Sequence, residues 1–282
     1  MKKKIIIIAA ILIVLITLIA IPKETYQKWF GNETVDELPT TNSYYQTIYV
    51  VSENNQLTGV KVPVESIEDD QIKQKWDLLT SKMNLIPTGY SSPITPSTAL
   101  NSYAIENSVL TFDVSEDITR SSGRLAIESL AWTFCNEEVK EVKLVVSGSQ
   151  VDTISDYTFN KISKDIGTNF IFETGYLFES DFATIVYYED DVILPVTYFY
   201  TNDNEYDFII SKIFSNEIET KSDYSYEVME DNFVISFIDN INLNENLKRT
   251  LNETVKLNMS VNSVSVNCVD EVLYEQTFVE LN

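Results

Sequence analysis

The sequence predicts an α+β protein in which an N-terminal transmembrane helix precedes two tandem repeats of one domain. Three observations support this prediction: an apolar segment near the N-terminus, two series of strand and helix patterns in the same order, and a core-forming composition. Hydrophobic residues make up 44% of the 282 residues and aromatic residues 12%, which is not the composition of a disordered chain. We expect each repeat to form a mixed sheet that two helices cover on one face.

The N-terminal segment is apolar from Ile5 to Ile21, follows three lysines and ends at Pro22. Such a helix would be roughly 25 Å long, slightly shorter than the ~30 Å hydrocarbon core of a bilayer. A signal peptide has the same charged start, but the residues before Pro22 form a poor cleavage site. We therefore predict a cytoplasmic lysine cluster and an uncleaved anchor over residues 1–22, followed by a juxtamembrane linker over residues 23–43.

The charge balance is strongly acidic. The chain has 20 basic and 43 acidic residues, and its net charge is −23. Such a surface repels phosphate backbones and anionic headgroups. We therefore expect no nucleic-acid partner, and contact with the membrane through the N-terminal helix only.

Each repeat is predicted to begin with a hairpin. The alternation around Ile48 and Val50 reappears around Ile185 and Tyr187, and in both places a polar turn and a second β-rich segment follow.

A helix, a strand, a second helix and a last strand then follow in both repeats. Their matching apolar positions are Ile72, Trp76 and Leu79 with Tyr206, Ile210 and Ile213; Leu110, Phe112 and Val114 with Phe233, Ile235 and Phe237; Ala126, Leu130 and Phe134 with Leu247, Leu251 and Val255; and Val142, Leu144 and Val146 with Val264, Val266 and Cys268. The offset between the copies is about 135 residues at the hairpin and first helix and about 122 afterwards.

The change in offset places an extra segment in the first copy, at residues 85–97. Three prolines bar a helix there, so the segment is predicted to be a surface loop. The predicted domains are residues 44–151 and 181–282. Residues 152–180 join them, and their composition indicates an extended, partly docked connector rather than a free linker.

Composition also removes most catalytic chemistry. The chain has no histidine, so Ser–His and Cys–His nucleophile pairs are excluded. No serine precedes a lysine by three positions, and the seven glycines form no phosphate-binding loop. We therefore predict a protein that is not an enzyme and has no catalytic residues, cofactor-binding residues, metal ligands or cofactors. A carboxylate pair of the glycosidase type is the remote alternative.

The acidic segment at residues 203–207 alternates like a calcium loop. It lacks the central glycine, and Phe214 stands where the bidentate glutamate would be. We interpret it as the acidic first turn of a helix, where carboxylates are favoured by the helix dipole. Residues 68–70 hold the same position in the first copy.

The cysteines and two of the tryptophans also admit two interpretations. Cys135 and Cys268 could form a disulfide outside the cell; the alternative is a buried Cys268 at an inward strand position and a half-exposed Cys135 at a helix edge. Trp76 and Trp132 could stack on a ligand, but their positions near the helical stripes favour core packing.

Two segments of the first copy carry a family resemblance: Val-Leu-Thr-Phe-Asp-Val-Ser at residues 109–115 and Val-Lys-Glu-Val-Lys-Leu-Val-Val-Ser-Gly at residues 139–148. Together with the order of elements, they resemble the GerM domain of sporulation and spore-germination proteins. Residues 163–170 resemble the segment between two such domains, so the resemblance covers residues 44–282. It implies a fold related to ring-building motifs and a non-enzymatic protein that assembles a complex in the envelope of a developing spore.

From the residues and this resemblance we expect a scaffold in the cell membrane, with a single span and an extracytoplasmic C-terminal region. Its expected partners are envelope proteins, and lateral self-association is a second expected mode. The alternative is an envelope ligand-binding or cell-wall-binding module unrelated to sporulation, which would use the aromatic segment Tyr198-Phe199-Tyr200.

Overall fold

The computed structural model describes residues 44–173, 180–201, 204–215, 218, 223–229, 231–269 and 271–278. The predicted anchor and juxtamembrane linker lie outside these ranges. Within them, no helix is long and apolar enough to cross a membrane. Residues Tyr44–Asn282 belong to one compact unit.

The described elements form two series separated by a connector. The first series is β1 Tyr44–Ser52, β2 Leu57–Val64, α1 Gln71–Leu79, β3 Tyr90–Ser91, β4 Leu100–Glu106, β5 Val109–Val114, α2 Gly123–Phe134, β6 Glu141–Val146 and β7 Ser149–Val151. The connector contains β8 Thr153–Ile154, β9 Tyr157–Thr158 and β10 Ile171–Phe172. The second series is β11 Asp181–Glu189, β12 Val192–Tyr200, α3 Glu205–Ile213, β13 Tyr224–Met229, β14 Asn232–Phe237, α4 Glu245–Asn258, β15 Ser263–Cys268 and β16 Glu271–Thr277.

The two series have the same topology, which confirms the tandem repeat. Each begins with an antiparallel hairpin, β1–β2 or β11–β12. Each then forms a four-stranded sheet, in the order β4-β5-β6-β7 or β13-β14-β15-β16. In both sheets the two central strands are parallel and both outer pairings are antiparallel.

The prediction of one mixed sheet per repeat is wrong. The two hairpins pair with each other in a separate sheet instead of joining the four-stranded sheets of their own repeats. Strand β2 pairs with β12 through Val60↔Val192 and Gly59↔Ile193, which forms a central sheet shared by both copies. The hairpin strands bury consecutive residues, such as Ile48 and Tyr49, and so need cover on both faces. The strands of the first four-stranded sheet bury alternate residues.

The helices pack as their apolar stripes predicted. In α2 the positions Ala126, Leu130 and Phe134 are buried, and the helix contacts both the β1–β2 hairpin and β6. In α4 the positions Leu251 and Val255 are fully buried, and the helix packs on β11 and α3. Each second helix therefore closes the core beside its own hairpin.

The extra segment of the first copy is not only a surface loop. It contains no α-helix, as its prolines predicted, but Tyr90–Ser91 pairs with the end of β1 as strand β3. The side chain of Ile94 is 2% exposed and belongs to the first core. Burial of the apolar Ile94 side chain is favourable and stabilises the packing of this segment on the first core.

Asn169 of the connector forms hydrogen bonds with both copies. Its amide group accepts a 2.8 Å hydrogen bond from Leu57 N and donates 2.7 Å bonds to the carbonyl oxygens of Leu57 and Pro195. Leu57 belongs to β2 and Pro195 to β12. One side chain therefore bridges the hairpins of both copies, and this part of the connector is docked.

Candidate functional site

Hydroxyl groups on the second helix of each copy close the outer edge of its hairpin. In the first copy, Tyr49 N donates a 3.0 Å hydrogen bond to Thr133 Oγ1, and Ser129 Oγ donates to Tyr49 O at 2.6 Å. In the second copy, Val186 N donates a 3.0 Å bond to Thr254 Oγ1. Thr133 and Thr254 hold the same position in the repeat. At Tyr49 and Val186 the helix therefore occupies the strand edge, and a further strand cannot pair there.

The same arrangement extends further along the second copy. Tyr188 N donates to Thr250 Oγ1 at 3.1 Å, and Thr184 N donates to Asn258 Oδ1 at 2.9 Å. The sequence contains a signal for these hydrogen bonds, because both second helices have hydroxyl residues four positions apart at matching places. These hydroxyl residues lie outside the apolar stripes of the helices, so hydrophobic periodicity alone does not reveal them.

The outer strands of the four-stranded sheets, in contrast, have open edges. In the described part of the chain, β4 pairs only with β5, β13 only with β14, and β16 only with β15. These strands carry exposed apolar side chains: Ile105 is 44% exposed, Val228 is 43% exposed and Val272 is 60% exposed. Open strand edges are templates for pairing with another chain. Because β4 and β13 are equivalent, the repeat presents the same open edge twice.

A cleft of about 870 Å³ lies between the two copies. The first copy and the connector contribute the end of α2, the start of α1 and Lys164. The second copy contributes Tyr188 on β11 and Lys256 on α4. Lys256 contacts Glu137 of the first copy at 3.2 Å, so an ion pair crosses between the copies at this cleft.

Several carboxylates line the cleft, but most have partners within the protein. Asp70 accepts bonds from Lys73 N and the Tyr103 hydroxyl, both at 2.8 Å. Asp165 accepts from Lys161 at 2.7 Å. Such partners leave these groups less free for acid–base chemistry on a bound substrate.

Among the described carboxyl groups, the two with a raised pKa are Glu128 and Glu205. Burial is the main cause in both. Neither lines the large cleft. Glu128 is 1% exposed, and its carboxylate is bound by Arg124 and, at 2.7 Å, by the Thr168 hydroxyl of the connector. Its role is therefore to hold the connector against α2.

The two acidic segments considered in the sequence have different positions relative to their helices. In the second copy, Glu205 and Asp207 lie in the first turn of α3, as predicted, and Asp203 lies outside the described residues. In the first copy the prediction of an acidic first turn is wrong. Asp70 is instead the N-cap of α1, and Glu68 lies near Lys82 at 3.6 Å. Over the described ranges, no group of three or more metal-ligating side chains could hold an ion.

The burial of the two cysteines is the reverse of the prediction. Cys135 is buried and Cys268 is partly exposed, and both are free thiols. Cys135 ends α2 beneath the connector, where its sulfur lies 3.9 Å from Ile162 O, and burial raises its pKa to about 11. The prediction of a half-exposed Cys135 is wrong because the connector covers the end of the helix.

Trp76 and Trp132 are buried, as predicted, with exposed fractions of 1% and 3%. Trp76 packs on Phe112 with ring centroids 4.8 Å apart. Trp132 packs on Tyr49 at 5.5 Å and also lines the cleft.

The aromatic segment proposed as a ligand site is largely used inside the protein. Tyr200 is 2% exposed and stacks on Phe208 at 3.8 Å. The hydroxyl of Tyr198 lies 3.0 Å from that of Tyr187. Phe199 stacks on Phe172 of the connector at 5.0 Å. This segment therefore joins the connector to the second copy.

The comparisons with known proteins agree with the topology. Residues 47–152 match the Germane family model, described as sporulation and spore germination. The fold resembles the tandem GerMN domains of the sporulation protein GerM from Bacillus subtilis, with a TM-score of 0.68 and 16% identity over 84% of this chain and 98% of that chain. The first GerMN domain of that protein gives a TM-score of 0.39 and 16% identity over 44% of this chain and 99% of that chain. No curated protein sequence gives a significant match. The GerM resemblance is confirmed, by the family model for the first copy and by the fold for both.

Proposed function

We propose that this chain, which carries a Germane domain at residues 47–152 and folds like tandem GerMN domains, is a non-enzymatic assembly protein of a sporulation or germination envelope complex. It would be held in the cell membrane by residues 1–22, with residues 44–282 outside the cytoplasm. Its partners would be envelope proteins, including further copies of the chain.

The observation that carries this proposal is the contrast between closed and open strand edges. The hairpin edges are blocked by Thr133 and Thr254, whereas β4 and β13 are open and carry Ile105 and Val228 on the surface. A protein that blocks one pair of edges and leaves an equivalent pair free has preferred places for strand addition. Two equivalent edges on one chain allow each molecule to contact two neighbours, which is the requirement for a ring or filament.

The chemistry of the described residues supports a non-enzymatic role. The chain lacks histidine, and the cleft carboxylates Asp70 and Asp165 are bound by groups of the protein itself. The carboxyl groups with raised pKa values, Glu128 and Glu205, lie away from the cleft. A glycosidase needs two carboxyl groups facing one substrate, one of them with a raised pKa.

Sedimentation of residues 23–282 at several salt concentrations tests the assembly role. Without Lys2, Lys3 and Lys4 this fragment has 17 basic and 43 acidic residues, and its net charge of −26 opposes self-association, over a Debye length of about 30 Å at low salt and about 8 Å at 0.15 M. Self-association should therefore strengthen as salt or divalent cations are added. Binding to a basic partner should weaken under the same change. A monomer at every salt concentration would overturn lateral self-association.

Lysine substitutions then test the edges. Ile105→Lys on β4 and Val228→Lys on β13 place a charge on the open strands, which should weaken association. Ile238→Lys is the matched control, because Ile238 is 62% exposed and lies outside the edge strands. All three changes reduce the net negative charge equally. Equal behaviour of the three variants would contradict association through β4 and β13.

A further inference from the structure

The cleft between the two copies is lined by many charged side chains of both signs. Its lining includes six acidic residues and four lysines, and the lysines are Lys75, Lys140, Lys164 and Lys256. The whole chain has 20 basic and 43 acidic residues. The charge of the lining is therefore mixed, and what distinguishes its lysines is whether each of them has a carboxylate partner.

Three of these lysines, Lys140 and the pair Lys75 and Lys164, have no carboxylate within ion-pair distance among the described residues. Lys75 Nζ lies 3.5 Å from the carbonyl oxygen of Thr133, at the limit of a hydrogen bond. Lys164 Nζ lies over the ring of Trp132, 5.2 Å from its centroid. Lys256 differs, since Glu137 and Glu253 lie 3.2 and 3.9 Å from its ammonium group.

The surroundings of this pair disfavour two positive charges. Burial lowers the pKa of both Lys75 and Lys164, and each lysine of the pair is affected by other positive charges: Lys75 by Lys164, and Lys164 by Lys140 and Lys256. Glu253 acts in the opposite direction and raises the pKa of Lys164. An ammonium group away from water is unfavourable unless an anion accompanies it.

A second, independent feature of the cleft is an unused hydrogen-bond donor. Trp132 lines the cleft and is 3% exposed, and within the described chain its Nε1–H has no acceptor. A buried donor without an acceptor is unfavourable, because it has lost its hydrogen bonds to water. Two ammonium groups and an indole N–H in the lining of one cleft are a donor set suited to an oxyanion.

We propose that this cleft binds a small ligand with carboxylate or phosphate groups, which Lys75 and Lys164 contact and toward which Trp132 Nε1 donates. The volume of about 870 Å³ is in the range of small-molecule sites. A large polyanion would be repelled by the acidic surface around the cleft. Because Tyr188 and Lys256 of the second copy also line the cleft, the ligand would link the two copies.

Calorimetric titration of the full chain in a neutral detergent tests the proposal. The probes are inorganic phosphate and citrate, each added at constant ionic strength with sodium chloride as the balancing salt. Saturable binding of one or both is expected, and the two probes separate phosphate from carboxylate recognition. Absence of saturable heat with both probes at concentrations up to tens of millimolar would overturn the proposal.

The variants Lys75→Met and Lys164→Met should each weaken binding about tenfold or more, because a charge-assisted contact is lost. Lys143→Met is the control, since Lys143 lies on β6, outside the cleft, and near Glu141 at 3.9 Å. Without ligand, the two cleft variants should unfold at the same temperature as wild type or a higher one, which shows that they fold. Equal affinity in all variants would mean that the anion binds elsewhere.

Discussion

The backbone amide of Val186 donates a hydrogen bond to the hydroxyl of Thr254, as Tyr49 does to Thr133 at the equivalent place in the first copy. Each bond is 3.0 Å long, and each joins the outer strand of a hairpin to the second helix of the same repeat. Duplication has thus preserved a polar contact as well as an apolar pattern. It determines which strand edges of the protein are closed.

We expect Thr254→Val to lower the free energy of unfolding by about 1–3 kcal/mol, because the buried amide of Val186 would lose its acceptor while the side-chain volume stays nearly constant. Urea denaturation measures the change. Thr254→Ser retains the hydroxyl and should cost less. Equal losses for the two variants would mean that packing of the methyl group, rather than the hydrogen bond, makes the contribution.

Gly59 lies where the two hairpins meet. A Cβ at this position would come within 2.9 Å of the Tyr49 ring and 3.0 Å of Ile193 Cβ. Gly59→Ala should therefore lower the free energy of unfolding by about 1–3 kcal/mol, since a packed junction must shift. The loss should become smaller when the same change is made in a Tyr49→Val background. An unchanged loss in that background would show that Tyr49 is not the obstacle.

Asn169 should couple the unfolding of the two copies. Asn169→Ala removes three hydrogen bonds and should destabilise the protein by about 2–4 kcal/mol. Because Asn169 has a φ of 48°, part of that loss comes from the backbone, and Asn169→Gly serves as the control for it. Hydrogen exchange of β2 and β12 measures the effect. In each variant, β2 and β12 should both exchange faster than in wild type. Unchanged exchange of the two strands would contradict the bridge.

Glu128 should give a pH dependence of defined sign. Burial raises the pKa of this carboxyl in the folded state above its usual value of 4.5. Its stabilising contribution is thus complete below pH 4.5 and is lost as the pH rises through the raised folded pKa. Relative to Glu128→Gln, wild type should lose unfolding free energy on going from pH 4 to pH 7, by at most about 1.4 kcal/mol per pH unit. A gain over this range would mean that the Arg124 pair outweighs burial.

The anchor is tested by the mass and N-terminal sequence of protein extracted from membranes. We expect residues 1–22 to be retained. The control is Leu18→Ala, which creates a small-x-small sequence ending at Ala20 and should permit cleavage. A soluble wild-type form that begins near Pro22 or Lys23 would contradict the uncleaved anchor.

The sequence by itself determined the tandem repeat, the order of the shared elements and most of the core. Ala126, Leu130 and Phe134 were found from helical spacing, and Leu110 and Phe112 from strand alternation, because local burial patterns follow backbone periodicity.

Only the tertiary structure decided that the hairpins pair with each other across the copies. Periodicity identifies a strand but not its neighbour, and the pairing depends on Gly59 and Asn169, single residues whose partners are distant in sequence. The same holds for the cleft. Lys75 and Lys164 lie 89 positions apart in the printed sequence and were part of no motif. Folding brings their charges together by packing the connector against α2. The position of a single charged side chain has no periodic pattern from which this could have been predicted.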